Sequence, residues 1–184
     1  VALGAYIVLF GGGRPVRSRL RAHVIAAVGL LATVTLGMFV AGNHPLTWAA
    51  YLATAVLAVW VTGRIDPGPP GAYFFVLMTG AGTLLAATGL DVVHTLVHLI
   101  IGALLAMTSG VIDAVTSRQA STPPPAPPAA PSTRLTLLRV GIAITATMAI
   151  SWLRSDLHPF WGVLVVVLVL SYPGDTHQLT TRAL

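Results

Sequence analysis

The chain has 184 residues, of which 55% are hydrophobic and only 8% are charged, and its formal net charge is +5. An ordinary soluble domain carries about 25% charged residues, so this composition excludes a normal water-facing surface. The ten basic residues are all arginine, and cysteine is absent, which excludes disulfides, thiolate metal sites and cysteine nucleophiles.

Apolar runs of membrane-spanning length follow one another along the chain. A bilayer core of about 30 Å requires roughly 20 apolar residues in a helix. Five runs approach this length, and two shorter runs flank them: His23–Gly42, Leu46–Gly63, Ala72–Leu90, Val92–Val115 and Arg134–Leu153, with Val1–Phe10 and Leu157–Tyr172 shorter. The sequence therefore predicts an all-α fold, a multi-pass transmembrane helix bundle.

A proline-rich segment divides the predicted bundle into two parts. Residues 117–133 read SRQASTPPPAPPAAPST, a composition that favours an extended, semi-rigid linker. About five membrane helices, the first of them truncated, are predicted within residues 1–116, and a pair of helices within residues 134–184. Because Val1 begins inside an apolar run without the features of a signal peptide, we expect the chain to be a window on a longer membrane protein.

The arginines indicate an orientation, because short cytoplasmic loops collect basic residues. When the predicted helices alternate across the membrane, nine of the ten arginines fall on one side and Arg154 alone on the other. We therefore expect residues 117–133 to be cytoplasmic, together with a basic loop of Arg14, Arg17, Arg19 and Arg21 and its counterpart Arg182. Positive-inside topology explains these arginines, and attraction of anionic lipid or substrate is the alternative.

The two ends of the chain show a short internal repeat. At a constant offset of 161 residues, five positions match: Val8, Leu9, Gly13, Arg21 and Ala22 correspond to Val169, Leu170, Gly174, Arg182 and Ala183. Both copies lie where an apolar run meets an arginine-bearing segment. We interpret the chain as a window across two related halves, in which the second half has only begun.

The C-terminal segment carries the most specific motif. His158-Pro159-Phe160-Trp161 opens a run of Val and Leu, which is followed by Tyr172-Pro173-Gly174 and then Arg182. This pattern resembles the fusaric acid resistance family of bacterial inner-membrane proteins, also called aromatic acid exporters, although the N-terminal copy has Gly11-Gly12-Gly13 in place of Tyr-Pro-Gly. The resemblance implies a place in the bacterial inner membrane and export of aromatic or organic acids and related xenobiotics, driven by the proton gradient.

Three ionisable residues lie close together at the start of one predicted helix. Asp91, His94 and His98 are at i, i+3 and i+7, so they share one face. Ionisable groups in membrane helices are costly and mark ion or proton pathways, and histidine changes charge near neutral pH. We predict them as transport-path residues, together with Trp161, whose ring suits a flat aromatic substrate. In the alternative interpretation Asp91 caps the helix and only His98 lies deep.

Small residues indicate where helices approach closely. Gly102, Ala106 and Gly110 recur at four-residue spacing. Gly80 and Gly82 leave the surface of the preceding helix without side chains at two positions. Such spacing allows the backbones of membrane helices to pack against one another. We expect these residues at helix–helix contacts.

The motifs favour transport over catalysis. Gly11-Gly12-Gly13-Arg14 lacks the Gly-Lys-Ser/Thr ending of a phosphate-binding loop, and the sequence has no Gly-x-Ser-x-Gly turn. His-x-x-x-His supplies only two metal ligands, and one helix rarely presents Asp91 as a third. We therefore predict no enzyme, cofactor, metal or nucleic-acid partner. The expected partners are the lipid bilayer and small organic or aromatic anions, and a homo-oligomer is compatible with the sequence.

A second function remains open at this point. The chain is also consistent with a membrane structural or accessory subunit that transports nothing itself. Its basic cytoplasmic loop would then dock a partner or a lipid.

Overall fold

The computed structural model describes residues 2–10, 16–65, 71–116, 133–153 and 160–171. All elements within these ranges are helical: α1 (Ala2–Ala5), continued by a 3₁₀ turn (Tyr6–Leu9), α2 (Val16–Val40), α3 (His44–Ile65), α4 (Tyr73–Ala87), α5 (Val92–Thr116), α6 (Thr133–Leu153) and α7 (Phe160–Ser171). The predicted all-α class is confirmed for this part of the chain. The proposed linker, apart from Thr133, lies outside the described residues. Four of the ten repeat positions also lie outside them, namely Gly13, Gly174, Arg182 and Ala183, as do residues 158–159 and 172–182 of the C-terminal motif.

Three helices of the described part are long and apolar enough to cross a membrane: Arg17–Val40, His44–Arg64 and Val92–Ile112. A helix of 25 residues such as α2 rises about 37 Å, more than a bilayer core of about 30 Å. The apolar helices Tyr73–Ala87 and Leu137–Ile150 are shorter. Membrane association is therefore indicated by three helices, where the sequence predicted five membrane-length runs.

The outer surface of the described helices is covered by large apolar side chains. Phe39 is 73% exposed, Ile142 70% and Leu153 78%. The exposed face of α5 is built the same way: Val93, Val97, Ile100, Ile101, Leu104, Leu105 and Ile112. Soluble monomers rarely expose contiguous apolar patches of this extent, whereas lipid tails solvate them without cost. The surface therefore supports the membrane association that the helix lengths indicate.

The basic segment at the start of α2 is helical. α2 begins at Val16, so Arg17, Arg19 and Arg21 occupy its first two turns, and the prediction that they form a loop is wrong for these three residues. Arginine is among the better helix formers, and proline commonly precedes or opens a helix, as Pro15 does in the sequence. Arg14 and Arg182 lie outside the described residues.

A glycine in the left-handed conformation ends α4 earlier than predicted. Gly89 has φ 76°, its N–H donates to the carbonyl of Ala86 at 3.0 Å, and the N–H of Leu90 donates to Leu85 at 3.4 Å. These two hydrogen bonds form the Schellman arrangement, which satisfies the last carbonyls of the helix. The predicted run to Leu90 therefore stops as a helix at Ala87.

α2 and α4 form the most extensive helix contact among the described helices. A Cβ added at Gly37 of α2 would overlap the carbonyl oxygen of Thr79, and one added at Gly82 of α4 would overlap that of Val34. Farther toward the N-termini of both helices, Gly29 lies against the ring of Phe75. Residue numbers rise together along the contact, so the two helices are parallel. The predicted packing role of Gly82 is confirmed.

α3 and α4 meet through hydroxyl groups. Thr79 donates to the Oγ1 of Thr54 at 3.2 Å, and the Tyr51 hydroxyl lies 3.3 Å from Oγ1 of Thr83. Thr79 also lies 3.1 Å from the carbonyl oxygen of Phe75 one turn earlier. In an apolar surrounding such local bonds satisfy hydroxyls that would otherwise be costly to bury.

α5 packs against the N-terminal part of the chain. A Cβ added at Gly4 of α1 would lie 2.7 Å from the backbone nitrogen of Ala103 and 3.0 Å from the carbonyl carbon of Gly102. Near the other end of α5, Gly110 lies against the ring of His23 on α2. The predicted packing roles of Gly102 and Gly110 are confirmed. α5 runs parallel to α1 and antiparallel to α2.

Candidate functional site

An open cleft of about 310 Å³ lies at the N-terminal end of α5. Four leucines and three polar residues line it: Leu3, Leu85, Leu90 and Leu99, with His94, Thr95 and His98. The leucines come from α1, α4, the turn after α4 and α5. They meet at this end because α1, which runs parallel to α5, begins there and α4, which runs antiparallel to α5, ends there. The cleft therefore combines an apolar wall with one polar strip on α5.

Asp91 caps α5. Its Oδ2 accepts the N–H of His94 at 2.9 Å, and its carbonyl accepts the N–H of Thr95 at 3.0 Å. The first N–H groups of a helix lack intrahelical partners, and an aspartate at this position accepts a hydrogen bond from one of them. The negative charge of the carboxylate is also stabilised by the positive end of the helix dipole. Asp91 is exposed and is not among the residues that line the cleft. The capping alternative thus describes its observed contacts.

Replacing this cap gives a stability prediction. Asp91→Ala removes the acceptor for the His94 N–H and is expected to lower the free energy of unfolding by about 1 kcal/mol, whereas Asp91→Asn retains an acceptor and stays within a few tenths of the parent. Denaturant unfolding in a mild detergent micelle, followed by helical circular dichroism, measures both. Equal losses in the two variants would show that the carboxylate charge matters more than the capping bond.

His94 and His98 lie one helical turn apart and face the same cleft. Their ring centroids are 4.4 Å apart and the planes are tilted by 49°. Nδ1 of His98 lies 2.8 Å from the carbonyl oxygen of His94, and because a carbonyl only accepts, this nitrogen carries the proton. His94 is exposed and His98 is half-buried. The structure therefore brings the two predicted histidines together, and both of them reach the cleft.

Two residues that line the cleft, Thr95 and Leu3, are not among the predicted site residues. Thr95 is 8% exposed and lies between the histidines, where the spacing from Asp91 through Thr95 to His98 already marks it as a member of the same face. Leu3 comes from α1, ninety residues earlier. No local pattern connects it with α5, so only the tertiary structure places it in the cleft.

A third histidine is buried at the opposite end of α5. His23 is 1% exposed and its Nε2 donates to the carbonyl of Phe10 at 2.8 Å. Among the described residues, Nδ1 has no hydrogen-bond partner. In the sequence His23 stands at the start of an apolar run, and a histidine within a membrane run is itself a signal of a functional or structural polar contact.

The other predicted site residues do not join the cleft. Arg17 and Arg21 are exposed on the first turns of α2 and Arg19 is half-buried there. Trp161 belongs to α7, but its side chain lies outside the described residues. Within the described part of the chain, no three His, Cys, Asp or Glu side chains converge in a group that would hold a metal ion.

Comparison of the chain with protein-family models, with curated proteins and with solved structures gives no match.

Proposed function

We propose that the chain is part of a bacterial inner-membrane secondary transporter that exports small aromatic or organic acids, coupled to the proton gradient. The proposal rests chiefly on the cleft at the start of α5, in which two histidines face an apolar wall. Ligand sites for small molecules are concave, mostly apolar and supplied with a few polar groups, and they occupy about 300–1,000 Å³. The cleft has this character and lies at the lower limit of this range, which suits an acid of about one ring.

The chemistry of the lining fits such a substrate. The leucines would contact the hydrocarbon part of the acid, and an imidazolium on His94 or His98 would pair with its carboxylate. Imidazole is a common proton carrier in proteins. Binding and release of the anion would thus follow proton uptake and loss at the same residues, which is the coupling that an exporter requires.

Two further features support a transporter. The C-terminal motif from His158 to Arg182 resembles the aromatic acid exporters, and the arginines would place the start of α2 in the cytoplasm. In that orientation the cleft faces the opposite side of the membrane. It would serve as the exit of the pathway, from which an exported acid leaves.

The second candidate is an accessory membrane subunit without transport of its own. The exposed side chains of Arg17 and Arg21 favour it, because basic residues beside a membrane attract anionic lipid headgroups by about 1 kcal/mol each. Loss of a partner-dependent phenotype in an Arg17→Gln/Arg21→Gln variant, with the cleft intact, would favour this function.

Accumulation of a labelled hydroxybenzoate in a host stripped of its efflux pumps tests the transporter. Expression of the full-length protein that carries these residues should lower accumulation, and a protonophore should restore it. His98→Ala should abolish most of the effect because it removes a cleft-lining imidazole. His44→Ala, at an exposed histidine on α3 that does not line the cleft, is the matched control. Unchanged accumulation across a panel of acids would reject the transporter and leave the accessory function.

A further inference from the structure

We propose that His94 and His98 form a two-imidazole site for a divalent transition-metal ion at the mouth of the cleft. This site goes beyond the proposed export of organic acids. It does not depend on that export, because metal binding is measured on the purified protein without any transport. The ion would take two nitrogen ligands from α5 and complete its shell with water or an exogenous anion.

The placement of the two rings is the first support. Side chains at i and i+4 project from the same side of a helix, one turn apart, and here the ring centroids are 4.4 Å apart. Both histidines line a cleft of about 310 Å³ that is open to its surroundings. An ion therefore has access to both rings and room for additional ligands.

The hydrogen bond of His98 is the second support. Its Nδ1 donates to the carbonyl oxygen of His94 at 2.8 Å, so in the neutral ring the lone pair remains on Nε2. Metal-binding histidines are oriented in this manner, with the second ring nitrogen donating to a backbone carbonyl or a carboxylate. The bond fixes both the tautomer and the direction of the ring before an ion arrives.

The ligand set determines the class of ion. Imidazole nitrogen suits Zn²⁺, Cu²⁺ and Ni²⁺, whereas Mg²⁺ and Ca²⁺ take oxygen ligands. No third His, Cys, Asp or Glu joins the pair within the described residues, so the site differs from a structural zinc site with four protein ligands. The exposed carboxylate of Asp91, one turn before His94, adds negative charge nearby and favours a cation. We therefore expect an exchangeable ion.

Calorimetric titration of the full chain with ZnCl₂ tests the site, using protein purified in detergent without a polyhistidine tag. The parent should bind one ion more tightly than the double variant His94→Ala/His98→Ala. Because the second imidazole acts as an intramolecular ligand, each single variant should lose about 10²-fold in affinity. His44→Ala should bind as the parent does, and MgCl₂ should give no specific heat. Equal Zn²⁺ affinity in the parent and the double variant would overturn the proposal.

A spectroscopic measurement on the parent alone removes dependence on the folding of variants. Cu²⁺ added at one equivalent should show electron paramagnetic resonance splitting from two equatorial nitrogens. A spectrum with oxygen ligands only would overturn the proposal. The Zn²⁺ titration and the Cu²⁺ spectrum do not depend on the result of the accumulation experiment. The metal site and the export function are therefore tested independently.

Discussion

Gly37→Ala is expected to lower the free energy of unfolding by about 1–3 kcal/mol, the range found when a close-packed contact is forced to accept an extra carbon. The added Cβ would overlap the carbonyl oxygen of Thr79 and lie 3.1 Å from the Cα of Gly82. Both neighbours are backbone atoms of α4. No side-chain rotation can relieve the overlap, so the two helices must separate and lose the contacts along their length.

The matched control is Gly141→Ala on α6. An added Cβ there meets nothing within 4 Å in the described part of the chain, and alanine is favoured over glycine in a helix by about 0.5–1 kcal/mol. The same chemical change should therefore be neutral or slightly stabilising. Unfolding in detergent, followed by helical circular dichroism, compares the two variants. If both behave alike, α2 and α4 do not approach as closely as described.

Gly82→Ala provides the reciprocal change. Its Cβ would overlap the carbonyl oxygen of Val34 on α2 and lie 3.1 Å from the Cα of Gly37. Once the helices have separated to admit one extra carbon, a second substitution at the same contact lowers the free energy of unfolding by less, because the effects of neighbouring substitutions are not additive. The double variant Gly37→Ala/Gly82→Ala should therefore lose less than the sum of the two single losses.

The positions of the helices were largely predictable from the sequence, because the apolar runs are long and bounded by turn residues. The errors lie at two ends with identifiable causes. α2 begins at Val16 rather than His23 because arginines continue a helix readily. α4 ends at Ala87 rather than Leu90 because Gly89 takes the left-handed conformation. The parallel contact of α2 with α4 was not predictable, since glycine spacing marks a contact face but does not identify its partner.

The candidate site was predictable in part. Local spacing placed His94 and His98 on one face of α5, and they do share the cleft. The same spacing included Asp91, whose carboxylate instead caps the helix. A sequence pattern shows which side chains share a face of a helix. It does not show whether one of them accepts a hydrogen bond from a backbone N–H instead of facing the cleft. The apolar wall, with Leu3 from α1, required the tertiary structure.

His23→Ala is expected to destabilise the described bundle by about 2–4 kcal/mol. The imidazole is 1% exposed, and Nε2 donates to the carbonyl oxygen of Phe10 at 2.8 Å. Truncation leaves that carbonyl without this donor and opens a cavity between α2 and α5. The control is His44→Ala, because His44 is exposed at the start of α3 and its loss should change unfolding by less than about 0.5 kcal/mol.

A double-mutant cycle with Gly110 shows whether the ring fills the space against α5. In the parent, Gly110→Ala places a carbon 2.5 Å from Cε1 of His23 and should cost about 1–3 kcal/mol, because the buried ring is held by its bond to Phe10. In the His23→Ala background the same carbon enters the cavity, so the substitution should be neutral or stabilising. The resulting coupling of about 1–3 kcal/mol is large for two residues. Additive effects would mean that the His23 ring does not contact Gly110 in the folded protein.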